Sequence, residues 1–405
     1  MNSTFEKRPS SLRCRSPEAT LRLAKEWAQK AGIGAVMEIT ARDGLGLPVY
    51  TSPPNAGLHR SYGKGLARID AEVGAYMEAL ECVFAAPGSL RPPTRWGTPR
   101  DVAGAEGSVR ATLELCPLLG QHVDLDGRLL LAEAADVETG AVSWLPAELV
   151  FYPAPDVGQA LFGASTNGLA SGNSVVEASC HALAELVERD VWSLDLFRRR
   201  SVLVDAASLP EEIRLVGERA ARQGLELVVR SIPNDYGVPF FAAFLFAPET
   251  PILELFNGGW GCHLDRTVAL TRAVAEAAQS RLAFLVRHGE RGDGDGSQAE
   301  HLRTQIQLVR APEGAVSYSR VAHVSLHDSL EENFADLVAR VRRVTGRPIY
   351  RVAYTDEDRE LQVVRLIAPL LEYFREDHRR VGPRLKAAID AEAAIDAEAS
   401  AMAER

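Results

Sequence analysis

Residues 167–190 read NGLASGNSVVEASCHALAELVERD, and this stretch decides the prediction of the fold. Its first part is rich in Gly, Ser and Asn, which predicts a tight turn before a long helix over residues 175–198. At about 100° per residue, a stripe of that helix roughly 80° wide carries the polar residues Glu177, His181, Glu185 and Glu188. The rest of the helix up to that point is mostly apolar, and such a helix is normally buried. The polar stripe is therefore expected to face a binding site rather than bulk water.

A second helix, expected over residues 67–85, repeats this arrangement. Helical spacing places Asp70, Glu78 and Glu81 on one stripe, although Glu72 lies on the opposite side. The E-x-x-E spacing of the long helix thus recurs near the start of the chain.

A third helix, expected over residues 266–287, carries Glu276 and Gln279 at equivalent positions. Carboxylates that converge on one buried site repel each other, and a divalent cation removes that repulsion. Magnesium prefers hard oxygen ligands and is commonly shared between carboxylates and nucleotide phosphates. Positive charge for a triphosphate is available from Lys64, Arg189 and Arg281. The repeated pattern therefore indicates a magnesium–nucleotide site.

Two local interpretations of the same residues stay open. Glu177 follows Ser174 at capping-box spacing, and Glu185 with Arg189 could form an exposed i, i+4 ion pair. The common nucleotide motifs are missing from the sequence. Residues 57–65 resemble a phosphate loop, but the spacing is one residue too long and the final Ser or Thr is replaced by Gly.

Three segments together resemble the YcaO family, over roughly residues 34–383. They are residues 63–65 followed by 77–81, residues 167–173 continuing to 185–190, and residues 276–281. The resemblance implies an α/β (α+β) YcaO-type fold, with mixed sheets packed with helices and a carboxylate-lined nucleotide site. Strands and helices that do not alternate strictly also favour this class over a doubly wound sheet. The expected organisation is an N-terminal helical segment (1–33), a YcaO domain (34–385) and an Ala/Glu-rich C-terminal tail (386–405).

The resemblance implies ATP and Mg2+ as cofactors and assigns residues to them, without identifying a catalytic residue. The implied metal or phosphate-side ligands are Glu78, Glu81, Glu177, Glu185 and Glu188. The implied nucleotide contacts are Lys64, Asn173, Arg189, Gln279 and Arg281. The family's first motif usually has a serine where this chain has Gly74, which puts one nucleotide contact in question.

Members of this family phosphorylate the oxygen of a peptide backbone amide after a nucleophile attacks the amide carbon. A Cys, Ser or Thr of the substrate gives an azoline, sulfide gives a thioamide and an amine gives an amidine. The opening region, residues 32–50, resembles members that are encoded beside a TfuA partner, many of them linked to thioamide formation. Azoline-forming members commonly end in a proline-rich tail, whereas the last proline here is Pro383.

Thioamide formation is therefore the favoured interpretation, and several alternatives stay open. They are an azoline-forming cyclodehydratase, a macroamidine-forming enzyme, a non-catalytic module that recruits a precursor peptide, and a small-molecule ligase that uses the same pocket.

The net charge limits the possible partners of the chain, and the cysteine content indicates its compartment. A formal charge of -10 argues against broad contact with nucleic acid or an anionic membrane, and no secretory signal or membrane-length apolar run is present. The five scattered cysteines indicate a reducing cytoplasm. The expected partners are a ribosomally made precursor peptide, a TfuA-like or leader-binding protein, and a second copy of the chain.

Local signals elsewhere predict further elements. Ser16 is expected to cap a helix that starts at Pro17, and capping-box spacing predicts helix starts at Ser208 and at Ser329. Residues 87–100 are expected to form a loop, and residues 292–296 a mobile loop. Strands are predicted over residues 129–132, 148–152, 225–232, 240–246, 348–354 and 362–367.

Overall fold

A computed structural model of the protein describes residues 4–9, 11–53, 60–88, 92–102, 109–249, 256–288, 299–312, 314–375 and 378–403. The chain divides into two compact units. Unit 1 comprises residues 1–80 and 201–333, and unit 2 comprises residues 81–200 and 334–405. The domain boundaries expected after residues 33 and 385 stay predictions.

Unit 1 contains an antiparallel sheet and two smaller strand pairings. The sheet runs, in order across it, β10 (Val202–Leu203), β11 (Glu226–Ser231), β12 (Phe240–Phe246) and β13 (Asn257–Cys262). One smaller pairing joins β1 (Glu6–Arg8) to β2 (Ser11–Arg13). In the other, β4 (Val49–Thr51) lies between β3 (Met37–Glu38) and β5 (Tyr62–Lys64). The helices are α1 (Pro17–Lys30), α5 (Glu211–Arg222), α6 (Arg266–His288), α7 (Ala299–Arg310) and α2 (Arg68–Phe84), whose residues 81–84 belong to unit 2.

The core of unit 1 forms between the main sheet and two of its helices. Every residue of β12 is buried, as its continuous apolar run FFAAFLF predicts. Ile213 and Val216 of α5 lie in the same apolar cluster as Ala273 and Ala277 of α6. This packing holds α6, which carries three of the residues of interest, rigidly on the sheet.

Unit 2 is built around a second antiparallel sheet. Across it lie β6 (Thr94–Gly97), β7 (Leu129–Asp136), β14 (Tyr350–Ala353), β15 (Gln362–Ile367) and β9 (Leu169–Gly172), with β8 (Val142–Pro146) paired to β7. A short hairpin joins β16 (Phe374–Arg375) to β17 (His378–Arg379). The helices are α3 (Val109–Glu114), α4 (Val175–Arg198), α9 (Pro383–Ala403) and α8 (Leu330–Thr345), which begins in unit 1.

The arrangement confirms the predicted α/β (α+β) class and most of the predicted elements. The long helix α4 spans the predicted residues, and β12 and β15 match their predicted bounds. Ser16 caps α1 through a bond from the Ala19 amide to Ser16 Oγ of 3.3 Å. Ser329 caps α8 in the same way, with the Glu332 amide 3.2 Å from Ser329 Oγ.

Two predictions about strands and loops were wrong. Residues 148–152 do not form a strand, because the Glu148 carboxylate is drawn inward to accept hydrogen bonds from the amides of Leu161, Phe162 and Gly163 at 2.7, 3.1 and 3.1 Å. A 3-10 turn over Ala147–Leu149 places it there. The predicted loop over residues 87–100 contains β6, because pairing with β7 outweighs local Pro and Gly content.

The predicted capping box at Ser208 was also wrong. Helix α5 begins at Glu211 after Pro210, and the Ser208 hydroxyl instead donates to the Asp205 carbonyl at 2.6 Å. The same hydroxyl accepts the amide of Tyr318 at 2.8 Å. The hydroxyl of Ser208 therefore binds a residue 110 positions later in the chain instead of capping α5.

Some predictions fall outside the described residues. These are the mobile loop over residues 292–296 and residues 57–59 of the segment that resembles a phosphate loop. Within the part of the chain that the structure describes, no helix is long and apolar enough to cross a membrane.

Candidate functional site

Strand β5 and helices α2 and α6 form a cluster in unit 1. Lys64 Nζ lies 3.0 Å from Glu276 Oε2, and both side chains are partly buried, at 26% and 16% exposure. Glu78 accepts a hydrogen bond from the Tyr62 amide at 3.1 Å. Strand β5 thus supplies the ammonium group of Lys64 and, two residues earlier in the chain, the backbone amide of Tyr62.

Two glycines allow this close approach of β5 to α2. A Cβ atom on Gly63 would lie 1.9 Å from the carbonyl oxygen of Ala71 and 2.2 Å from the amide nitrogen of Ala75, so no larger residue fits there. A Cβ atom on Gly74 would lie 3.3 Å from Gly63 Cα. The glycine at position 74, where a serine was expected, therefore belongs to the contact between helix and strand.

Glu78 is the carboxylate most perturbed by this environment. Burial raises its pKa to about 7, and the negative charge of Glu276 adds to the rise. The charge of Lys64 and the Tyr62 amide oppose it. Near neutral pH the group is divided between its two protonation states, so a cation that binds beside it would favour the ionised form.

The raised pKa of Glu78 predicts a pH-dependent effect on stability. In an unfolded chain the group ionises near 4.5, so the folded protein loses stability as pH rises from about 4.5 through about 7. Glu78→Gln is therefore expected to raise the free energy of unfolding by about 2 to 3 kcal/mol at pH 8 and to change it little at pH 4.5. Urea denaturation at both pH values, with EDTA and without nucleotide, measures the difference.

Glu72→Gln, on the same helix, is the matched control for that experiment. Its side chain makes a partly exposed ion pair with Lys25 at 2.7 Å. Its removal is expected to cost less than about 1 kcal/mol at either pH. A Glu78→Gln variant that is no more stable than the native protein at pH 8 would contradict the pKa assignment.

Helix α6 also carries Gln279 and Arg281. Gln279 Oε1 is buried and accepts no hydrogen bond from any residue that the structure describes. Arg281 Nε lies 3.7 Å from Asp43 Oδ2, and the two side chains are 14% and 3% exposed. Asp43 was not among the predicted site residues, because a single aspartate in an irregular segment carries no spacing signal.

The start of α4 forms a separate cluster in unit 2. Glu177 is completely buried, and its carboxylate accepts hydrogen bonds from the Asn173 amide at 3.2 Å and from Asn173 Nδ2 at 3.0 Å. The Glu177 amide donates to Ser174 Oγ at 3.1 Å. The serine half of the predicted capping box is therefore present, while the Glu177 carboxylate binds Asn173 and fixes the side-chain amide of that residue.

Further acidic residues of unit 2 lie on α4 and on the last turn of α2. Glu81 Oε1 accepts a hydrogen bond from Ser171 Oγ of β9 at 2.6 Å. Glu188 is only 2% exposed, and its Oε1 lies 3.6 Å from Arg189 Nη2. The structure thus gives Arg189 an ion pair with Glu188, and Glu185 of the same helix is partly buried.

One carboxylate of the predicted stripes, that of Asp70, forms an ion pair outside the candidate site. Asp70 forms an ion pair with Arg8 at 3.2 Å, which ties the N-terminal hairpin to the start of α2. Its role is therefore to hold that hairpin in place.

The carboxylates lie singly or in pairs beside hydrogen-bond donors. Among the residues described above, no three Asp, Glu, His or Cys side chains are close enough together to bind a metal ion by themselves. Magnesium is usually bound through one or two carboxylates, with phosphate oxygens and water as its other ligands. Within unit 2 the buried carboxylates Glu177 and Glu188 are groups of the kind that bind magnesium together with a nucleotide. Within unit 1 the unsatisfied Gln279 Oε1 is a free acceptor of the kind that a nucleotide can fill.

Comparisons with known proteins agree with this chemistry. The model of the YcaO family, described as a YcaO cyclodehydratase that binds ATP and Mg2+, matches residues 62–372. An uncharacterised protein of Methanothermobacter thermautotrophicus is 32% identical over 393 residues, which cover 92% of this chain and 98% of that protein. An uncharacterised protein in the tfuA 3' region of Rhizobium leguminosarum bv. trifolii is 28% identical over 377 residues, 88% of each chain.

A solved structure has the same fold. YcaO from Methanopyrus kandleri, bound with AMPPCP and Mg2+, superposes with a TM-score of 0.75 at 23% identity and covers 94% of this chain and 98% of its own. This match confirms the predicted fold type.

Proposed function

This chain belongs to the YcaO family of cyclodehydratases that bind ATP and Mg2+, and from that premise we propose that it uses ATP to phosphorylate the oxygen of a peptide backbone amide. The observation that carries the proposal is the set of buried carboxylates on the helices that the family match covers: Glu177 is fully buried and Glu188 is 2% exposed. Carboxylate oxygens are the hard ligands that Mg2+ prefers, and these two groups lie away from bulk water. When bound, ATP supplies the phosphoryl group and Mg2+ neutralises charge on its phosphates.

The cluster in unit 1 is proposed to bind the nucleotide. Lys64 is held at the site by Glu276, and its ammonium group suits a phosphate oxygen. The unsatisfied Oε1 of Gln279 would accept a hydrogen bond from the nucleotide, and the Arg281 guanidinium would donate to it. Glu78, whose pKa burial raises to about 7, would bind Mg2+ in its ionised form.

The cluster in unit 2 is proposed to bind metal and nucleotide as well. Glu81, Glu177, Glu185 and Glu188 would act as ligands of Mg2+ or of its bound water. Ser171 and Asn173 orient two of these carboxylates through the hydrogen bonds described above. Asn173 and Arg189 would contact the nucleotide.

We propose that the product is a thioamide and that a TfuA-type protein assists. The support is the relative in a tfuA 3' region, which matches 88% of this chain. Sulfide would attack the amide carbon to form a C–S bond, and the carbonyl oxygen would receive the γ-phosphoryl group of ATP. The C–O bond then breaks, phosphate leaves, and the net change replaces oxygen with sulfur while ATP becomes ADP.

Mass spectrometry tests this reaction. The chain is incubated with ATP, Mg2+, sulfide, a TfuA-type protein and short peptides encoded beside its gene. A gain of about 16 Da is expected for sulfur in place of oxygen, and the gain should depend on ATP. The matched reaction without sulfide is expected to leave the mass unchanged.

Other outcomes would select another member of the same reaction class or reject it. A loss of about 18 Da would indicate azoline or amidine formation, in which an internal nucleophile expels water. Turnover of ATP that needs no peptide would favour a small-molecule ligase. A folded protein that binds no nucleotide in the presence of Mg2+ would leave recruitment of a precursor peptide as the function.

A further inference from the structure

Two adjacent residues of the N-terminal hairpin (β1 and β2) bind the starts of two different helices. Lys7 Nζ lies 2.5 Å from Oδ2 of Asp265, the residue immediately before α6. Arg8 donates to Asp70, in the first turn of α2, through Nε at 3.2 Å and Nη2 at 3.4 Å. Successive side chains of a strand point to opposite sides, so one strand can reach two helices at once. The hairpin therefore joins the start of α2 to the start of α6.

The attachment to α6 uses both oxygens of the Asp265 carboxylate. Asp265 Oδ1 accepts hydrogen bonds from the amides of Thr267 and Val268 at 2.9 and 3.0 Å, as an N-cap residue does. The side chain is 4% exposed. Although burial acts in the other direction, the hydrogen bond from Lys7 to Oδ2 holds the pKa of this carboxyl below its usual value. Lys7 therefore binds an ionised residue from which α6 begins.

The attachment to α2 lies beside the end of β5. A Cβ atom on Gly65 would lie 3.2 Å from Asp70 Cβ, so the backbone that follows Lys64 passes directly against the residue that Arg8 binds. The side chains of Arg8 and Asp70 are 19% and 13% exposed. Arg8 therefore fixes a carboxylate that contacts the chain one residue after Lys64.

The two attachments lie on the two sides of the contact between Lys64 and Glu276. Lys64 ends β5, which is followed by the contact with Asp70. Glu276 lies about three helical turns after Asp265, and a helix of this length transmits a shift of its start along its axis. A displacement at either helix start would therefore change the position of the Lys64 ammonium group relative to Glu276.

Stability alone is a weak reason for these ion pairs. Ser11 and Leu12 of β2 are buried, so attachment of the hairpin does not depend on the ion pairs alone. Lys7 is half-exposed, and an ion pair of such a residue contributes at most about 1 kcal/mol. What the two pairs specify is the place of two helix starts.

We propose that the hairpin acts as a clamp between α6 and α2, which holds the Lys64 ammonium group where it binds a phosphate of the nucleotide. Lys7 and Arg8 are the positioning residues of this clamp. The inference rests on the proposed function, because it requires that Lys64 contacts the nucleotide. It gives a role in nucleotide binding to a segment that lies before the residues matched by the family model.

Calorimetric titration of the full chain with ATP and Mg2+, far below the Tm of every variant, tests the clamp. Lys7→Ala and Arg8→Ala are each expected to weaken binding roughly 10-fold. The double variant is expected to bind about as weakly as either single variant, because a clamp that has lost one end no longer fixes the two helices. Native affinity in both single variants would overturn the inference, and so would losses that multiply in the double variant.

A second cycle determines whether the hairpin acts through Lys64. Lys64→Ala is expected to weaken binding about 30-fold, and the addition of Lys7→Ala is expected to change the affinity no further. A further loss in that background would overturn the clamp while the proposed nucleotide contact stands. Native affinity in Lys64→Ala would instead reject that contact, and with it the premise of the clamp.

Lys25→Ala is the matched control. Lys25 is 49% exposed, as Lys7 is, and it pairs with Glu72 of α2 at 2.7 Å. Its loss is expected to leave the affinity for ATP within about twofold of the native value. Lys7→Arg keeps the charge and is expected to recover most of the affinity that Lys7→Ala loses. An equal loss of affinity in Lys25→Ala, or no recovery in Lys7→Arg, would show a general effect of stability and overturn the inference.

Discussion

Glu188→Gln is expected to weaken the binding of ATP in the presence of Mg2+ at least about 100-fold while the protein stays folded. Glu188 is 2% exposed and lies 3.6 Å from Arg189. Glutamine has the same size and can keep the packing of α4, but it lacks the negative charge that a magnesium ion needs. The substitution therefore separates the loss of a ligand from a loss of structure.

Isothermal calorimetry with and without Mg2+ measures this effect. Glu72→Gln serves as control, since Glu72 pairs with Lys25 at 2.7 Å in a partly exposed position and is not assigned to the site. The double variant Glu78→Ala/Glu81→Ala is expected to lose binding as well. If Glu188→Gln binds ATP as the native chain does, the carboxylates of α4 are structural and the metal assignment is wrong.

Asp190→Ala is expected to lower the free energy of unfolding by on the order of 3 to 5 kcal/mol. Asp190 is completely buried and its Oδ1 accepts hydrogen bonds from the Glu372 amide at 2.8 Å and from Arg384 Nη1 at 2.7 Å. Alanine would leave a guanidinium that is mostly buried without this partner. Asp190 lies two residues after Glu188, so the same helix carries a proposed ligand and a structural anchor.

The network around Asp190 explains why the expected effect is large. The Glu372 carboxylate accepts hydrogen bonds from the amides of Gly382, Arg384 and Leu385 at 2.6, 2.9 and 2.9 Å. These bonds satisfy amides around the start of α9, which have no partners inside the helix. Removing Asp190 therefore disturbs the attachment of α9 to α4 as well as one ion pair.

Urea denaturation of the full chain, followed by tryptophan fluorescence, measures the loss of stability. Asp336→Ala is the matched control, because Asp336 pairs with Arg340 at 3.0 Å with both side chains partly exposed. That change is expected to cost less than about 1 kcal/mol. A stable Asp190→Ala variant that has lost ATP binding would show instead that Asp190 belongs to the nucleotide site.

Helical periodicity identified the three acidic helices because each repeats polar residues at the spacing of one face. The bounds of α4 and the buried runs of β12 and β15 could be predicted for the same reason, since burial on a regular element leaves a regular pattern. The resemblance of short segments to the YcaO family then identified the fold and the cofactors ATP and Mg2+.

The amino-acid pattern alone therefore sets the local order of the chain and the acidic character of three helix faces. Tertiary structure decided which carboxylates have other partners: Asp70 binds Arg8, Glu148 binds a turn, and Asp190 binds Arg384. It also decided that Asp43 lies beside Arg281. Periodicity describes neighbours within one element, whereas these contacts join residues far apart in the chain. Only the packing of whole elements sets their distances and their burial, and with them the energy of each charge.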